Sequence, residues 1–267
     1  MTDRPTIEGT ETAAPAGDWR TMLIRGRYDL AAQTYRLTGG DDDVLRSNLE
    51  ALSDAQLAAR DKGWRTVAKA LERVDERHST LPWAAIDADV EALREASLAL
   101  DAREPEQARE HLQRVDGSGF PAETATLMGT LAIFEGEPAQ ARERFEAALE
   151  LDPNHYRALT NLGNLKLEEG DVDGAIEAYE RAIRLNDGFA NAHHNLGVAY
   201  RRKGQVAKSV SALRRAQREG NRRDAEDARS RFGSKGGRRA GNPQLVRWIV
   251  IAAAIAVAYW YFAVRTP

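Results

Sequence analysis

The sequence predicts an all-α chain: helical hairpins stacked into a solenoid, followed by one C-terminal transmembrane helix. Three observations carry this expectation. Small and aromatic residues recur every 34 positions between residues 122 and 220. Charged residues make up 30% of the chain and aromatics 7%, a balance that suits surface-rich helices better than sheets. Residues 245–264 are apolar on every face. A fixed period of this length marks a stacked repeat, in which each unit covers the apolar face its neighbour leaves open.

Residues 1–18, MTDRPTIEGTETAAPAGD, lack the basic start and apolar core of a secretory signal. Their Thr, Pro, Gly and acidic content reads as a disordered leader. Residues 19–121 read as divergent helical hairpins. Gly26, Tyr28, Ala31 and Tyr35 hold turn and second-helix positions of a first, truncated unit. Residues 44–77 give a helix, a turn at Lys62-Gly63 and a second helix through Val67, Ala68, Leu71 and Val74, with Pro82 ending the unit. Residues 84–116 repeat the theme, and Glu104-Pro105 opens the second helix, where Pro suits the first turn.

Three units follow, at 122–155, 156–189 and 190–220. Gly129, Gly163 and Gly197 occupy one register position. Ala141, Ala175 and Ser209 occupy a second, and Phe145, Tyr179 and Leu213 a third. Small residues let the paired helices approach, and the large residue fills the gap toward the neighbouring unit. Gly170-Asp171 stops one helix and starts the next. The second helix of the last unit is read as ending at Arg218. Residues 221–244 are read as a short basic capping helix, over 222–231, and a flexible glycine-rich linker, GSKGGRRAGNP.

The Leu162-Gly163 pair, the turn glycine Gly170, and Ala175, Tyr179 and Ala182 resemble the tetratricopeptide repeat (TPR) family, with Pro153 closing the preceding unit. The resemblance is specific over residues 122–220 and weaker over 19–121. It implies a right-handed α-solenoid whose first helices line a groove for an extended peptide or a helix. On that register the groove positions include Thr126, Thr130, Thr160, Asn161, Asn164, Asn191, His194, Asn195, Val198, Arg201 and Arg202. Those expected to hold a ligand are Thr160, Asn161, Asn164, Asn191, His194, Asn195, Arg201 and Arg202. Asn amides both donate and accept, as a peptide backbone does. Asn164 and Asn195 resemble the asparagine pair of the family's carboxylate clamp. Thr160 stands where that clamp has a Lys.

Residues 245–264 cover about 30 Å as a helix, the thickness of a bilayer's hydrocarbon core. Trp248, Trp260 and Tyr261 lie near its ends, where an interfacial aromatic belt belongs. The net charge of -3 hides an asymmetry. Residues 1–200 carry 22 Lys and Arg against 37 Asp and Glu, whereas residues 201–247 carry 15 against 4. With Arg231, Lys235, Arg238, Arg239 and Arg247 on the N-terminal side of the span, the positive-inside rule places the repeats in the cytoplasm. The basic stretch would also face anionic headgroups.

Catalytic signatures are weak. The chain has no cysteine, which removes disulfide and thiolate chemistry. Of the five histidines, His193 and His194 are adjacent on a helix and point about 100° apart, a poor chelating pair. His78, His111 and His155 read as solvated or groove-facing. GSKGG lacks the strand and helix that frame a phosphate cradle. The basic run has few aromatics for base stacking, so no nucleic acid is expected. Neither a metal nor a cofactor is expected. The reading is a noncatalytic, membrane-tethered scaffold or adaptor for a protein or peptide partner. The alternative is an assembly or regulatory subunit whose transmembrane helix is itself the interface, through the small residues Ala252, Ala253, Ala254, Ala256 and Ala258.

Overall fold

Twelve helices and no strands form the described residues of the computed structural model, which are 18–75, 83–117 and 119–233. They are α1 (Trp19–Ile24), α2 (Tyr28–Leu37), α3 (Asp43–Arg60), α4 (Trp64–Leu71), α5 (Trp83–Asp101) and α6 (Pro105–Leu112). Then come α7 (Pro121–Phe134), α8 (Pro138–Leu151), α9 (Tyr156–Glu168), α10 (Val172–Leu185), α11 (Ala190–Arg202) and α12 (Val206–Gly233). The chain divides into two compact units, Met1–Ala216 and Gln217–Pro267.

One device closes every hairpin. The turn after each odd-numbered helix contains a residue in the left-handed region: Gly26, Lys62, Arg103, Gly136, Gly170 and Gly204, with φ between 56° and 89°. Glycine adopts this conformation without a Cβ clash. Lys62 and Arg103 hold it with a side chain, so the turn survives where its sequence signal is lost. Helix starts use Pro105, Pro121 and Pro138 in the first turn, or side-chain caps from Asp42, His155 and Asp171.

The packing follows the register. A Cβ at Gly129 would sit 2.6 Å from the Phe145 ring, and one at Gly163 2.7 Å from the Tyr179 ring. Phe145, Tyr179, Ala141 and Ala175 are fully enclosed. Upstream, one continuous apolar cluster joins α1 to α7 through Tyr28, Leu49, Leu52, Val67, Leu93 and Leu127. Tyr28 adds an edge-on contact with Phe120 and donates its hydroxyl to the carbonyl of Gly119.

Polar links recur from one hairpin to the next. Arg109 pairs with Glu135, and in the following hairpin Arg142 pairs with Glu169. Arg181 reaches the carbonyl of Pro153, and its counterpart in the last hairpin, Arg215, pairs with Asp187. The divergent hairpins carry a link of their own. Asn48 exchanges two hydrogen bonds with the backbone of Asp75, and in the next hairpin Asp89 accepts from the amides of Asp116 and Gly119.

One expectation is corrected. The second helix of the last hairpin does not stop at Arg218 before a separate cap; α12 runs unbroken to Gly233. No proline interrupts it, and Arg222 pairs with both Glu219 and Glu226 one turn either side. No helix among the described residues is long and apolar enough to cross a membrane. The expected span at 245–264, the linker from residue 234, His78, Pro82 and the leader up to residue 17 lie outside the described residues.

Candidate peptide-binding groove

Helices α7, α9 and α11 place equivalent residues one period apart. The first turns carry Glu123, Arg157 and Asn191, followed by Thr126, Thr160 and His194. The later turns carry Thr130, Asn164 and Val198, then Ile133, Leu167 and Arg201, and last Phe134, Glu168 and Arg202. The two ends of this surface differ in kind.

The first turns of α7 and α9 are closed. Glu123 is 3% exposed, Thr126 0% and Thr160 3%. Thr126 and Thr160 donate their hydroxyls to the carbonyls one turn back, Ala122 and Tyr156. Thr160 is therefore not a surface contact, contrary to the sequence expectation. The cover comes from the chain itself. Arg60, at the end of α3, donates from Nε to Asp152 at 2.7 Å and from Nη2 to Asp29 at 3.2 Å. The Tyr156 hydroxyl lies between the Arg60 carbonyl, at 3.0 Å, and the Asp61 carboxylate. Asn186, at the next corner, reaches Asp61 at 3.4 Å. A void of only about 10 Å³ remains, lined by Gly26, Gln56, Arg60, Glu123, Asp152 and His155 among others. It is about the size of one water.

Behind this cover lies a buried ionic cluster. Glu123 binds His155 Nε2 at 2.8 Å and Arg157 Nη1 at 2.9 Å. The amide of Ala158 donates to His155 Nδ1, so the neutral ring carries its proton on Nε2, aimed at Glu123. Burial pushes the Glu123 carboxyl up, but Arg157 and then His155 more than offset it and leave the group below its ordinary value. Burial, and then Asp61, push the Tyr156 phenol well above its ordinary range. His155 is thus a helix cap and ion-cluster member rather than a solvated side chain. His193 is likewise buried, with Nε2 donating to the Asp187 carbonyl at 2.8 Å, whereas His194 is exposed. Among the described residues no cluster of His, Asp and Glu is placed to hold a metal ion.

The later turns form a ladder that stays accessible. Asn161 donates to Thr130 at 3.4 Å, and one repeat later Asn195 donates to Asn164 at 2.8 Å. Asn164 Oδ1 also accepts from the Tyr179 hydroxyl at 2.8 Å. With both lone pairs of that oxygen engaged, Asn164 has only its amide nitrogen to offer a ligand. Burial pushes the Tyr179 phenol above its usual range. Arg202 donates from Nη1 to the Leu167 carbonyl at 2.7 Å. Asn191, His194, Arg201, Arg202, Ile133 and Phe134 are exposed, and Val198 is half-buried. The structure therefore brings Asn161, Asn164, Asn195 and Arg202 together as inter-hairpin links, and leaves Asn191, His194 and Arg201 on the surface.

Sequence reasoning missed Arg60, Asp152, Glu123 and Arg157. Glu123 and Arg157 carried a legible signal: opposite charges at one register position in consecutive units. Arg60 and Asp152 carried none, being 92 residues apart.

Residues 126–188 and 160–228 match a tetratricopeptide repeat family model. Among solved structures, a crystal structure of MamA is 22% identical over 64% of this chain and 96% of its own, with a TM-score of 0.42. The crystal structure of YrrB, a TPR protein with an unusual peptide-binding site, is 19% identical over 70% of this chain and 91% of its own, with a TM-score of 0.39. No curated protein matches the chain.

Proposed function

We propose that this chain, which carries tetratricopeptide repeats over residues 126–228, is a noncatalytic scaffold that holds a protein or peptide partner on α7, α9 and α11 and is tethered to a membrane by residues 245–264. The observation that carries the partner reading is the contrast along the groove. Its first turns on α7 and α9 are sealed by the chain's own α3, while Asn191, His194 and Arg201 on α11 are exposed. Exposed polar side chains on a rigid helical surface are what a partner needs, and a fold of this kind does not itself name one. The tether rests on the apolar run of residues 245–264, whose one charge, Arg247, stands near its start, and on the basic N-terminal flank, which also orients the repeats toward the cytoplasm.

A photo-crosslinking residue tests the surface. Placed at Val198, it captures a partner in native membranes; placed at Glu177, exposed on α10, it does not. Equal capture from both positions refutes the groove. The alternative, in which the apolar segment itself is the interface, is favoured by its run of alanines. Exchanging that segment for an unrelated apolar span keeps the partner of a tethered scaffold and loses that of a membrane-embedded subunit.

A further inference from the structure

We infer that the open half of the groove takes an extended peptide of graded charge: a bulky apolar side chain on Ile133 and Phe134, a neutral or basic residue opposite Glu168, and paired carboxylates on Arg201 and Arg202. This rests on the groove reading above and specifies its ligand. Two facts limit where a ligand can lie. The start of α9 is occupied by contacts from Arg60 and Asp61, and the start of α7 is closed, with Pro121, Ala122 and Glu123 around the small void beside Arg60, so the footprint falls on the later turns. Adjacent packed helices stand about 8–10 Å apart, so α7 to α11 is about 20 Å, the reach of roughly six extended residues.

The register then fixes the chemistry along that line. One position reads Ile133, Leu167, Arg201, and the next reads Phe134, Glu168, Arg202. Ile133 and Phe134 are 40% and 42% exposed and adjacent, so they offer apolar surface at the end of α7. Some hairpin cations are spent on neighbouring carboxylates: Arg109 on Glu135, Arg142 on Glu169, Lys203 on Asp173 and Arg215 on Asp187. Among the described residues, Arg201 and Arg202 have no carboxylate within ion-pair distance. Arg202 is held in place by the Leu167 carbonyl through one nitrogen, leaving its other donors for a ligand. Glu168, between the apolar and cationic ends, disfavours an acid at the middle of the peptide.

The test uses the full-length chain in detergent and a fluorescein-labelled ten-residue peptide. The peptide carries one Leu, a Lys three residues on, and two Glu three residues beyond that. Fluorescence anisotropy at low salt shows binding that weakens at least about tenfold in the double variant Arg201→Glu, Arg202→Glu. A peptide with Lys in place of both Glu recovers binding to that variant, a result that loss of folding cannot produce. Ile133→Ser with Phe134→Ser weakens the original peptide as well. Vesicles with one-third phosphatidylserine provide the competing source of negative charge. If the arginine variant loses vesicle binding while its peptide affinity is unchanged, the cations face lipid and the inference fails. Failure of the peptide to bind the unaltered chain also overturns it, whereas selective crosslinking from Val198 would still stand.

Discussion

Arg60 grips Asp152 at 2.7 Å across 92 residues of sequence, and both side chains are buried. The pair ties the end of α3 to the corner before α9. Asp152 also shapes that corner, accepting from the amide of Asn154 at 3.0 Å. Removing one member strands the other charge away from water, at a cost of about 3–5 kcal/mol. Arg60→Met therefore lowers stability by about 3 kcal/mol, read from urea unfolding. Asp152→Asn costs less, because its side-chain oxygen still accepts from Asn154. Hydrogen exchange in Arg60→Met speeds up at the α3–α4 turn and the start of α9 together. Faster exchange at only one of these places would show that the pair does not join them.

Glu123 makes stability depend on pH on the acid side. Its folded value lies below the ordinary 4.5, despite burial, because Arg157 and His155 hold the charged form. A depressed carboxylate contributes stability that is fully present above about pH 4.5 and is lost as pH falls through its folded value. Glu123→Gln should be less stable than the unaltered chain by about 3 kcal/mol at pH 7, and the gap should narrow steadily below pH 4.5. Thermal melts of both proteins from pH 7 to pH 3 measure this. A gap that stays constant across the range would mean that shape, not charge, accounts for the loss.

The hairpins were legible where chemistry repeats with spacing. Gly163 and Tyr179 could be paired from sequence because Gly129 with Phe145 and Gly197 with Leu213 repeat the same distance. The upstream turns were harder, since Arg103 and Lys62 stand where glycine would announce a left-handed residue. The register of α7, α9 and α11 was legible in the period, and the burial along it was not. Thr160 has the right position to face a ligand, yet it is buried and its hydroxyl is spent on the Tyr156 carbonyl, while the start of α9 meets the end of α3 through Tyr156. That meeting depends on charged residues far apart in sequence and on no period. His155 was hidden for the same reason: its role comes from Glu123, 32 residues earlier, and from the amide it caps.

Arg103 offers a clean gain in stability. It is exposed and holds φ at 62°, the left-handed region that Gly136 and Gly170 occupy at the equivalent turns. A side chain in that region costs roughly 1–2 kcal/mol. Arg103→Gly removes the clash but gives the unfolded chain more freedom to lose, so the net gain is about 0.5–1 kcal/mol. Thermal unfolding should show a rise of a few degrees. Lys62→Gly would gain less, because it also breaks the ion pair with Asp101. A drop in stability for Arg103→Gly would contradict the strain.

Gly163 and Gly197 should answer differently to the same substitution. Alanine favours a helix by about 1 kcal/mol over glycine when there is room for its methyl. At Gly163 the new carbon would stand 2.7 Å from Tyr179 Cε1. That ring is fully enclosed and anchored through its hydroxyl to Asn164, so it cannot turn aside. Overpacking of this kind costs about 1–3 kcal/mol, more than the propensity gain. At Gly197 the nearest atoms are Leu213 Cγ at 2.7 Å and Cδ2 at 2.9 Å, on a half-buried side chain that can change rotamer, and the Ser209 carbonyl oxygen at 3.2 Å, which can give only by a small shift of the backbone. Gly197→Ala therefore costs less than Gly163→Ala, which is destabilised by about 1–2 kcal/mol. Tyr179→Leu copies the pairing of the last hairpin onto the one before. In that background Gly163→Ala loses most of its penalty, which a double-mutant cycle of urea midpoints measures. An undiminished penalty would place the clash elsewhere than in the ring.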